Sequence, residues 1–356
     1  MNTKNYRSSQ SFLLISLTVI LIYGFNTINP QRTDAAESSQ LIFNSKSLEF
    51  INRFDRFYDV SSVKEQIFIS GHFGAVLRSI DSGETWERLK TPTNKPLLGI
   101  ESINEKIVWA VGGDGAVIHT KDGGETWTLI EIGTTEQLFQ VEFINEQKGW
   151  IVGAYGTLLY TSDGGKNWED HGEKVVLPYD EFEAEIHPML NDIYFVDELT
   201  GWLVGENGTV FNTIDGGENW SYEKIIVEQR IPYLKAVFFQ SPEKGVIIGE
   251  QGILLQTNNG GEDWRFTTLN TDYSLFDVSG DSNGYIIVGD NGLGISLEPN
   301  EAGLNQKYLF RENGKYGWIS GVDISPSGRI VACGTNGSIM VSHGSNIEWT
   351  IFGPIN

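Results

Sequence analysis

Gly149-Trp-Ile-Val-Gly-Ala-Tyr-Gly-Thr-Leu-Leu-Tyr-Thr-Ser-Asp-Gly-Gly-Lys-Asn-Trp168 decides the fold. An apolar run ends on a glycine, two residues separate it from a second glycine, and a second apolar run follows. Thr161 then opens a polar turn that Trp168 closes. Working outward in both directions, the same punctuation returns. The paired glycines recur as Gly71/Gly74, Gly112/Gly115, Gly153/Gly156, Gly205/Gly208, Gly249/Gly252, Gly289/Gly292 and Gly334/Gly337. Their first members are 41, 41, 52, 44, 40 and 45 residues apart. The turn returns as Ser79–Trp86, Thr120–Trp127, Thr213–Trp220 and Thr257–Trp264, with Asn259 in the aspartate position of the last. The sixth copy lacks it, and the seventh, Ser342–Trp349, is worn.

A fixed period of this size is the signature of a repeat architecture. Within one unit the residues read as four short strands. Leu138–Ile144 alternates and is strand a, Trp150–Val152 begins strand b, Thr157–Thr161 is strand c, and Trp168 opens strand d. Strand formers bounded by glycine and asparagine give that reading. Seven four-stranded antiparallel units over residues 40–356 predict an all-β chain, a seven-bladed β-propeller with Asp-box turns. A β-sandwich would carry no such echo.

The aspartates of the turn have a structural task. In Asp81, Asp122, Asp163 and Asp215 the carboxylate can accept backbone N–H bonds a few residues on and so fix the hairpin. Glycine at the fifth position supplies positive φ. Trp86, Trp127, Trp168, Trp220 and Trp264 are large enough to cover the hairpin and fill the wedge between blades. Several near-identical sites cannot all be one active site. Trp109, Trp150 and Trp202 recur three residues before a first glycine, where other units carry Phe or aliphatics, so they read as core. The lone Cys333 sits in an apolar strand b, excludes a disulfide framework and reads as a buried thiol.

The Ser/Thr-x-Asp-x-Gly-x-Thr/Asn-Trp box is that of the bacterial neuraminidase repeat. Paired with Gly149-Trp-Ile-Val-Gly153 and Gly201-Trp-Leu-Val-Gly205, it makes residues from about 50 to 356 resemble the photosystem II stability/assembly factor family. The resemblance implies a non-enzymatic propeller outside the cytoplasm, a scaffold or assembly factor for a membrane protein complex. In a photosynthetic organism it implies assembly or repair of the photosystem II reaction centre. The chain departs from the cyanobacterial pattern in lacking a lipoprotein cysteine and an arginine cluster.

Other classes fare less well. With 47 acidic against 25 basic residues the net charge is −22, which speaks against binding nucleic acid through phosphates. Five scattered histidines give no metal-ligand spacing, and no cofactor or metal is expected. The alternative function is carbohydrate handling, as a sialidase-like glycoside hydrolase or a lectin. Arg230-Ile231-Pro232 echoes a sialidase motif but follows the fourth box instead of preceding the first. No catalytic residue is assigned.

Lys4 and Arg7 precede an apolar run, Phe12–Phe25, of a length that suits a signal core better than a membrane span. Residues 1–36 therefore read as a signal peptide or, if residues 12–25 are retained, an N-terminal membrane anchor. The expected location is the periplasm, the thylakoid lumen or the extracellular space, with membrane contact only through this segment.

A protein partner is expected on one face. In a four-stranded meander the b–c turns and the d–a connections lie together, so the Gly-x-x-Gly turns ring that face. Phe73, Asp114, Tyr155, Glu206, Glu250 and Asp290 are its candidate partner-binding residues. The spacing of 52 inserts about 11 residues after Trp168 on the same face, where Tyr179 and Phe182 alternate with acids and join the candidates.

Overall fold

In the computed structural model, residues 42–177, 186–300, 303–311, 317–343 and 348–353 are described. The compact unit runs Gln40–Asn356. It holds seven antiparallel sheets, each in the order a-b-c-d. In the third, strand a is Leu138–Phe143, b is Gly149–Gly153, c is Leu158–Thr161 and d is Glu169–Asp170. Trp168 thus lies just ahead of strand d and does not open it. The a strands of successive sheets lie side by side, and the seventh meets the first, which closes the ring. The molecule is a seven-bladed propeller.

Two departures from regularity stand out. An extra strand, Ile42–Ser47, pairs in parallel with the outer strand Glu348–Gly353 of blade 7, giving that blade five strands. In blade 6, where the box is missing, strands c and d are Leu293–Asn300 and Gly303–Arg311, the longest hairpin of the described residues. Without a box turn to end them, the two strands keep pairing out to Asn300 and Gly303.

Strand b is the spine of each blade: Val108–Gly112, Gly149–Gly153 and Gly201–Gly205 are buried along their whole length. A strand covered on both faces reads as a continuous apolar run. Its tryptophan fills the gap to the next blade. Trp109 stacks on Phe143 at 5.3 Å and meets Trp168 edge-on at 5.8 Å, both in blade 3. Trp150 does the same with Phe195 and the box Trp220 lies against that ring, and Trp202, Phe239 and Trp264 repeat the set one blade on.

The box turns lock onto these rings. Thr161 Oγ1 donates to Asp163 Oδ1 at 3.0 Å and accepts from the Gly165 N–H at 2.9 Å. Asp163 in turn accepts from the Asn167 N–H and from its Nδ2 at 2.7 Å. Asp81, Asp122 and Asp215 make the same bonds in their own turns. In the fifth turn Asn259 substitutes, accepting from the Asp263 N–H and donating to its carboxylate. The turn brings Gly165 (φ +74°) down on the preceding blade's Trp109, whose Cη2 would lie 2.2 Å from an added Cβ. Gly217 on Trp150 and Gly261 on Trp202 repeat the contact. Glycine there meets two demands at once, left-handed backbone and a flat seat for the indole.

Trp109→Ala should therefore cost about 3–5 kcal/mol of unfolding free energy in urea titration. Gly165→Ala should cost at least about 2 kcal/mol, from overpacking and from the left-handed φ together. A Gly165→Ala protein as stable as wild type would show that the turn does not bear on the indole.

Candidate docking face and central channel

Each Gly-x-x-Gly turn is a single tight turn whose second middle residue is left-handed. These residues are Phe73, Asp114, Tyr155, Asn207, Gln251, Asn291 and Asn336, with φ between 51° and 60°. Asn and Asp tolerate that region because their short side chains bond the local backbone, whereas bulky residues there are outliers. The N–H of the second glycine usually bonds the connection entering the next blade: Gly115 to Glu136, Gly156 to Pro188, Gly208 to Pro232 and Gly337 to Asp55. The turns and the d–a connections therefore share one face, hereafter the upper face.

The candidate residues on that face divide in two. Phe73 and Tyr155 are 69% and 76% exposed, and their rings project from strained backbone. The acids are partly occupied. Asp114 is paired with Lys95, and Glu250 lies 3.7 Å from Lys235. Glu206 accepts the Met189 N–H at 3.1 Å, and Asp290 accepts the Asn291 N–H at 2.7 Å, so both fasten their own surroundings. Tyr179 and Phe182 lie outside the described residues. The base of their insertion is tied by a bridge between Leu177 and Ile186.

A second feature escapes a reading of the turns. The a strands enclose a central channel of about 180 Å³ lined by Asp59, Glu101, Glu142, Asp192, Asp277 and Asp323. Its upper ring has a simple logic. Every strand a carries a bulge near its start, between residues such as Phe57 and Asp59 or Leu97 and Gly99. The residue after the bulge has no ladder partner for its N–H. Asp59 accepts from Val60 in its own blade and from Ile100 in the next, both at 2.8 Å. Asp192 takes Ile193 and Val237 at 2.9 Å, and Asp277 takes Val278 and Val322 at 2.8 and 2.7 Å. Gln140 Oε1 accepts from Val141 alone. Three aspartates and one glutamine thus satisfy all seven bulge donors.

Each receiving blade carries Gly99, Ala236 or Gly321 where its neighbour carries the acid. A Cβ on Gly99 would lie 2.6 Å from the Phe139 carbonyl, and one on Gly321 2.8 Å from Asp59 Cα. Deeper in the channel Asp323 accepts the Ser62 N–H at 2.7 Å, Glu142 the Phe195 N–H at 3.3 Å, and Glu101 that of Phe143. The sequence signal was an acid followed by Val or Ile in strand a, at Asp59, Asp192 and Asp277. It repeats in only some blades and so forms no motif.

Burial raises the carboxyls of Asp59, Glu101, Glu142, Asp192, Asp277 and Asp323 above the ordinary range. The charge of Asp277 adds to the effect at Asp59, and that of Glu142 at Glu101; backbone N–H bonds oppose it. Each of these residues keeps part of its surface accessible, which tempers the shift. The box carboxylates behave oppositely: hydrogen bonds from Thr126 and Asn167 hold Asp122 and Asp163 at about 2.

Comparison with known proteins shows what the chain is similar to. The sequence model described as "Photosynthesis system II assembly factor YCF48" matches residues 125–183 and 171–275. Over those residues the chain is similar to the repeats that this model describes. No curated protein matches the chain. Among solved structures, YCF48 bound to a D1 peptide aligns with a TM-score of 0.63 and 16% identity, over 83% of this chain and 94% of that one. YCF48 from Cyanidioschyzon merolae aligns at 0.62 and 15%, over 82% and 95%. An ancestral GH74 enzyme aligns at 0.66 and 12%, over 86% of this chain and 47% of the enzyme. At these identities the structural likeness speaks for the propeller fold, and the sequence match for the assembly-factor-like repeat.

The two sets of carboxyls predict a stability maximum on the acid side of neutrality. Channel carboxyls take up protons in the folded state at pH values where unfolded carboxyls, titrating near 4, hold none. The folded chain then binds more protons, so stability rises as pH falls from 8 toward about 5. Below about 4 the unfolded chain takes protons that Asp122 and Asp163 refuse until about pH 2, so stability is lost there. Thermal melts at pH 8, 5.5 and 2.5 should show the highest Tm at 5.5. A Tm that falls from pH 8 to 5.5 would mean the channel acids are not penalised by burial.

Proposed function

We propose that this chain is a non-enzymatic docking platform outside the cytoplasm that holds a segment of a membrane-protein complex on its upper face. In a photosynthetic host the complex would be photosystem II during assembly or repair. The match of residues 125–275 to the assembly-factor repeat carries this reading. The solved YCF48 structure bound to a D1 peptide supports it, since a propeller of this build there holds a peptide. So does the exposure of Phe73 and Tyr155: aromatic side chains placed on left-handed backbone cost stability, and such cost is commonly tied to function. Export through residues 1–36, cleaved or retained as an anchor, belongs to the same proposal and rests on the charged and apolar pattern of that segment.

Carbohydrate hydrolysis draws support only from the fold shared with the GH74 enzyme. The aspartates at the top of the channel are engaged with backbone donors, and none is assigned an acid or nucleophile role.

Affinity capture from native membranes should recover a membrane-complex subunit with the wild-type chain. The Phe73→Asn/Tyr155→Asn double variant should recover at least about tenfold less while melting no lower than wild type. Undiminished recovery would remove the upper face from the reading. A panel of aryl glycosides should show no turnover above blank, and turnover would restore the carbohydrate alternative.

A further inference from the structure

We propose that the seam between blades 5 and 6 is a binding site for a small aromatic acid, one aryl ring with a carboxylate a short chain away. The site opens among the a–b and c–d turns, on the face opposite the docking face. It does not rest on the docking reading.

A cavity of about 180 Å³ lies in this seam, with apolar walls from Val246, Tyr285, Pro299 and Leu304. The neighbouring seams explain it. Each of the three before it is filled by a strand b tryptophan, a phenylalanine of the next strand a and the next box tryptophan. Between blades 5 and 6 all three are gone. Val246 stands at the tryptophan position, and blade 6 has no box. Gly280 stands opposite Tyr285, where blade 3 sets Phe143 opposite Gly149. This exchange moves one ring from strand a to strand b, and Tyr285 meets Phe238 edge-on at 6.2 Å. The two indoles have no substitute. An apolar cavity of roughly 150 Å³ admits benzene, so the space left behind takes one aromatic ring.

Polar groups lining the same cavity specify the other half of the ligand. Lys244 and Arg265 are exposed at its edge. The chain carries a net charge of −22, yet neither cation pairs with an acid among the described residues. Asp263, two residues before Arg265, is held by Asn259, and Glu243, beside Lys244, by Ser241. Tyr285 is 5% exposed, and its hydroxyl has no hydrogen-bond partner among the described residues. A phenol buried to that degree ordinarily finds one. Two unpaired cations and an unpaired O–H donor beside a space for one ring fit an anion whose acceptor oxygens lie close to an aryl group. A carboxylate offers two such oxygens, which a guanidinium fork matches.

The probe is hydrocinnamate, titrated against the full chain by ligand-observed NMR. Hydrocinnamamide keeps the ring and lacks the charge, and propionate keeps the charge and lacks the ring. Hydrocinnamate should bind wild type at least about tenfold more tightly than either. Lys244→Gln/Arg265→Gln, at two exposed positions, should bring acid and amide to within about twofold and leave Tm unchanged. Tyr285→Phe, which keeps the ring and removes the donor, should weaken the acid about fivefold. Val246→Phe fills the cavity and should abolish binding of both ring compounds while Tm holds or rises. Equal binding of acid and amide to wild type overturns the proposal without needing any variant to fold. So does failure of hydrocinnamate to bind at millimolar concentration, and so does an unchanged acid-to-amide ratio in the charge variant. Full binding by a folded Val246→Phe protein would place the ligand elsewhere and overturns it as well. None of these outcomes touches the capture experiment, which tests the docking reading by itself.

Discussion

A ring of separate sheets has no continuous hydrogen-bond ladder around its circumference, so neighbouring blades must be joined by side chains. In this propeller such a bond crosses every junction, six of them at the channel wall and the one between blades 5 and 6 just beyond it. Asp59 reaches Ile100, Glu101 reaches Phe143, Glu142 reaches Phe195, and Asp192 reaches Val237. Gln240 donates to the Asp281 carbonyl, Asp277 reaches Val322, and Asp323 reaches Ser62 to close the circle. The bonds matter because a bulge leaves backbone donors that water cannot freely serve in a narrow channel, and an orphaned buried N–H costs about 1–3 kcal/mol. Farther out, the aromatic sets built on Trp109, Trp150 and Trp202 fill the widening gap. Polar joints on the inside and apolar wedges outside hold the same seams.

That arrangement separates rigidity from recognition. The box aspartates, the channel aspartates and the strand b tryptophans are all committed to the ring. What the frame leaves free are the tips of the turns on the upper face. There the backbone is fixed by the second glycine and by the connection bonded to it, while the left-handed residue points away from the core. Four of the seven turns use Asn or Asp at that position, which the conformation favours. Phe73 and Tyr155 go against local preference, and exposed aromatic rings on a fixed backbone are what a binding surface needs, since little conformational freedom is lost on contact.

How far the sequence could be read follows from which features repeat. Gly165, Asp163 and Trp168 recur at fixed spacing, so the blades, the box turns and the grouping of the Gly-x-x-Gly turns on one face were legible without coordinates. Strand ends slipped by a residue, as at Trp168, because capping bonds and not residue type end the strand. Blade 6 lost its box, and nothing in Leu293–Arg311 announces that its hairpin simply continues. The strand Ile42–Ser47 was missed because it belongs to no repeat and pairs with a partner about 300 residues away, at Glu348–Gly353. The channel acids were invisible for a different reason. Asp59 makes sense only beside Gly99 and Ile100, and Asp192 only beside Ala236 and Val237, so the pattern spans two units and appears only once adjacency is known.

Gln140 has a significance beyond its own hydrogen bonds. Acid and small residue come as couples across blades 1 and 2, 4 and 5, and 6 and 7, and an odd number cannot be divided into couples. Blade 3 is the remainder, and its glutamine, whose Oε1 serves only its own strand while its Nε2 donates to Asp59 at 3.5 Å, is the parity defect that lets a count of seven close. An ancestor with six or eight blades could have been tiled without it. Loss of one member of a couple would leave a donor stranded or an acid without its small neighbour until a second change repaired the tiling, whereas loss of blade 3 would leave the three couples intact.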